Sequence, residues 1–201
     1  VNIGASDVLE GTPHLVLGIL WQLIRMTLLS TVNLKSNPTL IRLLEPNETF
    51  EDLLKLPPEQ LLLRWVNHHL AEARHPKRMA NFSSDVRDSE IYATLLAHID
   101  PERLATTAVL GSADLHARAK YVLEQGKRFG AEFLPSPADV VNGNEKLNLG
   151  FVAALFNACP ALEPPEEAQL ALVEELPAED ESDSREERAF RMWLNSLGIE
   201  R

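Results

Sequence analysis

The sequence predicts an all-α fold. Apolar residues recur at three- and four-residue spacing through several long segments. No segment of the body alternates with the two-residue period of a half-buried strand, and no tight hairpin signal is present. The breaks between periodic segments carry the chemistry of helix ends: Thr49 and Ser136 each stand three residues before an Asp, and Gly130 and Gly143 each close a helical stretch.

Thr12-Pro13 opens the first helix, a hydroxyl cap followed by Pro where its missing N–H costs nothing. From there to about Leu29 the residues are apolar nearly all round, so the helix is expected to be enclosed on most sides. Its natural partners are expected to precede Val1, as in a segment of a longer chain. Residues 30–48 read as a polar connector with a short apolar turn at 40–44. Thr49, answered by Asp52, caps the next stretch, and Pro57-Pro58 restarts it. Leu61, Leu62, Trp65, Val66, His69 and Leu70 then recur at helical spacing through about Arg74. Residues 75–84 form a loop rich in Pro, Asn and Ser. A helix over 88–98 follows, with Ile91, Tyr92, Leu95, Leu96 and Ile99 on one side, and Asp100-Pro101 caps a short turn.

Ser112 or Asp114 starts the next helix, which ends near Phe129-Gly130. Residues 136–139 combine a capping box with Pro at the first position. The helix over 145–159 carries Leu147, Leu149, Phe151, Val152, Leu155 and Phe156 around much of its circumference and is expected at the centre of the core. Residues 160–183 hold four prolines and an acidic run. They read as an exposed linker with a helical turn over 166–175. Ser184 and Glu187 form a capping box for a last helix, with Phe190, Trp193, Leu194 and Leu197 on its apolar face and Gly198 as its stop.

Composition narrows the function classes. The chain has 201 residues, 45% hydrophobic, enough for one generous domain or two small ones. Its formal charge is -11, with 19 basic and 30 acidic residues, but nine of the acids lie between Glu163 and Asp183. The rest carries 19 basic against 21 acidic groups, a net of -2. That near-neutral body argues against a nucleic-acid partner, which needs a concentrated basic face. One cysteine, Cys159, excludes an internal disulfide and fits a reducing cytoplasm. No signal-peptide pattern opens the sequence. The most apolar run, residues 15–29, is shorter than the ~20 residues a bilayer needs and contains Gln22 and Arg25, so no membrane partner is expected.

Nothing in the motifs suggests an enzyme. Six histidines are present without HExxH spacing or cysteine pairs, and His68 and His69 point about 100° apart on a helix. A metal near His75 is the weaker reading, and no metal site is expected. Cys159 lacks a basic neighbourhood and reads as a small hydrophobe. Residues 142–146 form a turn, not a phosphate cradle, so no cofactor is expected. The acids near Asp180 lack the central Gly and closing Glu of a calcium loop. Trp21, Trp65 and Trp193 each sit on a helix's apolar face, so core is the default over an aromatic binding surface.

Residues 137–156, PADVVNGNEKLNLGFVAALF, resemble the closing section of a calponin-homology domain. That family places a DVV-type turn, a G-N-x-K loop and a long buried helix in this order. Residues 61–67, LLLRWVN, resemble its first helix, and residues 81–85, NFSSD, followed by Asp88-Ser89, resemble the loop before its third-helix region. Two flanks narrow the match. Residues 1–5 with 11–21, VNIGA and GTPHLVLGILW, are similar to the actinin-type signature ending a first such domain. Residues 185–198, REERAFRMWLNSLG, resemble the opening of the third domain of fimbrins. The order of these motifs resembles the fimbrin/plastin family of filament cross-linkers.

The resemblance implies a compact bundle of about four main helices plus short helical turns. It implies the tail of a first calponin-homology domain at 1–30, a linker at 31–48, a complete second domain at 49–160, the acidic linker at 161–183, and the start of a third domain at 184–201. It further implies a cytoplasmic, cytoskeletal protein that binds F-actin and bundles filaments, with neighbouring calponin-homology domains of the same chain as partners. Carried over from the family, His14, Leu15, Val16 and Ile19 in the first helix and Glu59, Leu63 and Asn67 in the helix after Pro58 are candidate actin contacts; most apolar positions there also suit a core. Bundling needs two actin-binding units, so the chain alone is expected not to bundle. Two alternatives stand beside this reading: a spacer that orients or masks its neighbours with little actin affinity, favoured by the near-neutral body, and a scaffold for signalling proteins or microtubules.

Overall fold

The first helix, α1 (Pro13–Leu29), starts at the proline expected for its first turn and runs the length of the apolar segment. The computed structural model of the chain describes residues 13–101, 110–174 and Met192. It divides into two compact units, Val1–Thr27 with Glu175–Arg201, and Leu28–Glu174. Within α1 only Leu29 is buried, and Val16, Leu17, Leu20 and Leu23 are exposed. The expected enclosure is therefore not found among the described residues. A helix apolar on all sides needs neighbours on all sides, and besides α1 the described residues of its unit amount to Met192. The expected helix after Ser184 and the turn after Pro101 lie outside the described residues.

The second unit contains α2 (Phe50–Leu54), α3 (Pro58–Glu72), α4 (Glu90–Ile99), α5 (Leu115–Phe129), α6 (Pro137–Asn142), α7 (Glu145–Ala158) and α8 (Glu167–Glu174). Two 3-10 helices, Pro38–Leu43 and Ser84–Val86, complete it, and no strand occurs among the described residues. The expected caps are in place. Thr49 and Ser136 each accept the N3 amide while Asp52 and Asp139 answer the cap amide. Asp114 caps α5, and Gly130 (φ 102°) and Gly143 (φ 68°) close α5 and α6 in the left-handed conformation that glycine adopts without a Cβ penalty.

α7 is the centre of the unit, as its all-round apolar sequence requires: every residue from Asn148 to Phe156 is buried. Trp65 of α3 meets Phe156 edge-on at 5.4 Å between ring centroids, and Tyr92 of α4 meets Phe151 at 5.1 Å. Burying such rings stabilises the fold by several kcal/mol each, far more than the helix propensity of short segments that would be marginal alone. α5 approaches closely because Gly126 faces the Phe151 ring: a Cβ there would sit 2.7 Å from Cε2 and Cζ. The end of α7 also holds the start of the unit. Asn157 Nδ2 donates to the Leu28 carbonyl at 2.9 Å, and Thr31 Oγ1 donates to Asn157 Oδ1 at 2.6 Å. Among the described residues no helix is long and apolar enough to cross a membrane.

Candidate functional site

The candidate residues fall on two helices. On α1, His14 and Val16 are exposed, and Leu15 and Ile19 are half-buried. Val16, Leu20 (49% exposed) and Leu23 (40%) form one apolar stripe, flanked by Leu17 (63%), since positions three and four residues apart share a helix face. At Gly18 no atom of the described residues lies within 4 Å of a Cβ built there.

α3 is shaped by burial. Leu61, Leu62, Leu63, Trp65, Val66, His69 and Leu70 are all buried, which covers more than half the helix circumference. Leu63 is therefore a core residue. Glu59 is half-buried near the helix start. Asn67 spends its amide on the following loop, donating from Nδ2 to the Met79 carbonyl at 2.8 Å and accepting the Met79 amide on Oδ1 at 2.7 Å. That reciprocal pair, together with the burial of Met79, fixes the loop beside α3.

The wetter face of α3 is instead Arg64, Asn67, His68 and Ala71, spaced by three and four residues. It forms one wall of an open groove of about 430 Å³, whose other walls are residues 42–46 and 75–78. Four cations line it: Arg42, Arg64, Lys77 and Arg78. Three of them are already paired. The Arg64 guanidinium donates to both carboxylate oxygens of Glu48, which holds the Glu48 carboxyl below its usual range and the guanidinium above its own. Lys77 bonds Asp88 at 2.9 Å and also Glu90, whose hydrogen bonds to Lys77 and His75 keep its carboxyl below the usual range. Arg42 lies 2.9 Å from Glu163. His75 accepts the Lys77 amide on Nδ1 at 3.2 Å, so Nε2 is its donor to Glu90 at 3.1 Å.

His69 lies behind this face. Its Nε2 donates to the Pro160 carbonyl at 3.1 Å, the oxygen that also accepts the Trp65 indole N–H at 2.7 Å. Nδ1 is buried without a hydrogen-bond partner. Burial pushes the imidazole down to about 4, so the ring is neutral near pH 7. Burial also lowers His68. Among the described residues no group of three or more His, Cys, Asp or Glu side chains is placed to hold a metal ion.

Of the three α3 candidates, Asn67 lines this groove together with Arg64 and His68, whereas Glu59 and Leu63 do not. The signal was present in the spacing of those polar residues, but Arg42 and residues 75–78 join them only through the fold.

The calponin homology (CH) domain family model matches residues 56–161. Fimbrin of Saccharomyces cerevisiae is 48% identical over 200 residues, covering 100% of this chain and 30% of that protein. Plastin-2 of Danio rerio is 45% identical over 208 residues, covering 99% and 32%. The crystal structure of the actin-crosslinking core of Schizosaccharomyces pombe fimbrin matches with a TM-score of 0.66 and 40% identity, covering 99% of this chain and 36% of that one. The chain thus spans about a third of the curated relatives it matches. With a family model over more than half its length, and with 99–100% of it matched by fimbrin and plastin sequences, the chain belongs to the calponin homology domain family, in its fimbrin/plastin branch.

Proposed function

We propose that this chain is an actin-filament-binding segment of a fimbrin-like cross-linker, acting in the cytoplasm on the cytoskeleton as a structural protein and not as an enzyme. The observation that carries the reading is similarity along 99% of this chain, at 40% identity, to part of a solved actin-crosslinking core. In the proposed arrangement residues 49–160 are a second calponin-homology domain between parts of its two neighbours in the same chain. His14, Leu15, Val16 and Ile19 on α1 are the proposed contacts on the first helix. On α3 Glu59 is the proposed contact, while Leu63 and Asn67 serve the surface by holding the helix and its adjoining loop.

The spacer reading draws on one specific feature. Arg42, Arg64 and Lys77 are neutralised by carboxylates of the same chain, which lowers the positive charge that the groove offers to an acidic filament. High-speed co-sedimentation with actin filaments at two salt concentrations separates the readings. Direct binding gives saturable, salt-sensitive pelleting with no bundles at low speed. A folded, monodisperse protein that stays in the supernatant would make the domain a spacer, and bundles formed by the monomer would refute the need for a second actin-binding unit.

A further inference from the structure

The first half of the acidic segment does not hang free of the second unit. Its root is fixed where the Pro160 carbonyl accepts the buried Trp65 and His69 donors. Three residues on, the Glu163 carboxylate meets the Arg42 guanidinium at 2.9 Å, and Glu166 lies 3.9 Å from the same group. Then α8 packs against the 3-10 helix that carries Arg42, with Val173 buried. Between the fixed root and the ion pair stands Ala161 with φ 48°, a left-handed conformation that a residue with a Cβ adopts only under constraint.

These contacts differ in strength. The root uses two hydrogen bonds from buried side chains, whereas both glutamates are largely exposed, at 83% and 78% of their side-chain surface, and are screened by salt. A strained corner thus separates a firm anchor from a weak electrostatic clasp. Arg42 is also a wall of the groove that contains Arg64, Lys77 and Arg78. Its present partner is itself an acidic peptide segment, which defines the kind of ligand this edge of the groove accepts.

We propose that residues 161–174 are a releasable strap that pivots at Ala161, and that its glutamates withhold Arg42 from an acidic segment of another protein. When the strap lifts, Arg42 joins Arg78 as a cation open to such a segment. The inference concerns an acidic peptide ligand of this groove and stands independently of the actin reading.

The test uses the full chain and two readouts. In hydrogen exchange followed by mass spectrometry, Glu163→Gln with Glu166→Gln is expected to speed exchange in residues 167–174 by about two- to fivefold, the range of an exposed ion pair. Exchange in α3 and α7 stays unchanged. Raising salt from about 0.02 M to about 0.5 M does the same to the unaltered chain. A labelled oligoglutamate peptide, read by fluorescence anisotropy, is expected to bind the double variant about two- to fivefold more tightly than the unaltered chain. Adding Arg42→Glu removes that gain. Unchanged exchange in 167–174, an equal rise in α3 and α7, or peptide binding indifferent to the strap's charge would each overturn the proposal.

Discussion

The contact between Tyr92 and Asn148 offers the sharpest test of how α4 and α7 are held together. Both residues are fully buried, and the Tyr92 hydroxyl donates to Asn148 Oδ1 at 3.0 Å. The Asn148 amide donates in turn to the Asn144 carbonyl at 3.0 Å. Tyr92→Phe keeps the ring edge-on to Phe151 and removes only the hydroxyl, leaving the Asn148 oxygen dry and without its donor. A buried acceptor deprived of its partner costs about 1–3 kcal/mol. Asn148→Leu does the reverse and strands the Tyr92 hydroxyl at a similar cost. The Asn144 carbonyl is little affected, because it still accepts the Asn148 backbone amide at 2.9 Å. In the double variant neither polar group is left behind, so the two losses should not add, and the coupling should be about 1–2 kcal/mol. Urea unfolding followed by far-UV circular dichroism reads this directly. With an m value of about 1–3 kcal/mol/M, a loss of about 2 kcal/mol moves the midpoint by about 1 M. A Tyr92→Phe loss under about 0.5 kcal/mol, or a double variant equal to the sum of the singles, would refute the reasoning.

Two further outcomes follow from burial. His69 is held at about 4 in the folded chain, below its ordinary value, so the unfolded chain takes up the proton first as pH falls. Stability is full above about pH 6.5 and falls by about 1.4 kcal/mol per unit towards about pH 4; urea midpoints across this range should lose most of their slope in His69→Gln, and an unchanged slope would place the titration elsewhere. Gly126→Ala pushes a methyl to 2.7 Å from the Phe151 ring, so overpacking of about 1–3 kcal/mol should outweigh the propensity gain of about 1 kcal/mol, whereas Gly18→Ala, which meets no atom of the described residues within 4 Å, should show the gain alone. Thermal midpoints that rise for both variants would contradict the close approach of α5 to α7.

Much of the fold was legible because its signals are local. The Thr49 and Ser136 capping boxes, the Asp114 cap and the two glycine stops depend on residues within one turn of each other, and each appears as its sequence implies. The central place of α7 follows from a helix with no polar face to show to water. α1 shows the limit of the same argument. Its sequence states a need for enclosure but cannot name what meets it, and Leu17 and Leu20 remain exposed. The site was less legible than the fold for a geometric reason. One residue on a helix is 100° of rotation, so choosing Leu63 over Arg64 exchanges a core position for the groove wall. Nor does spacing along α3 reveal Glu48 or Met79, which reach Arg64 and Asn67 only after the chain has turned.

The Pro160 carbonyl ties these strands together. A single backbone oxygen, outside every helix, satisfies two buried donors from α3 and at the same time fixes the point from which residues 161–174 depart. Because that oxygen can only accept, it requires His69 to keep a proton on Nε2, and the neutral ring leaves Nδ1 bare. A second proton would place a charge on a buried ring packed against Trp65, His68 and His98. Acid therefore acts on the anchor, while salt acts on the Glu163–Arg42 clasp, which lies beyond Ala161 and in water. The two perturbations should separate in one exchange experiment. Lower pH weakens α3 and α7 along with the strap, whereas added salt at neutral pH frees residues 167–174 and leaves the helices beneath them closed.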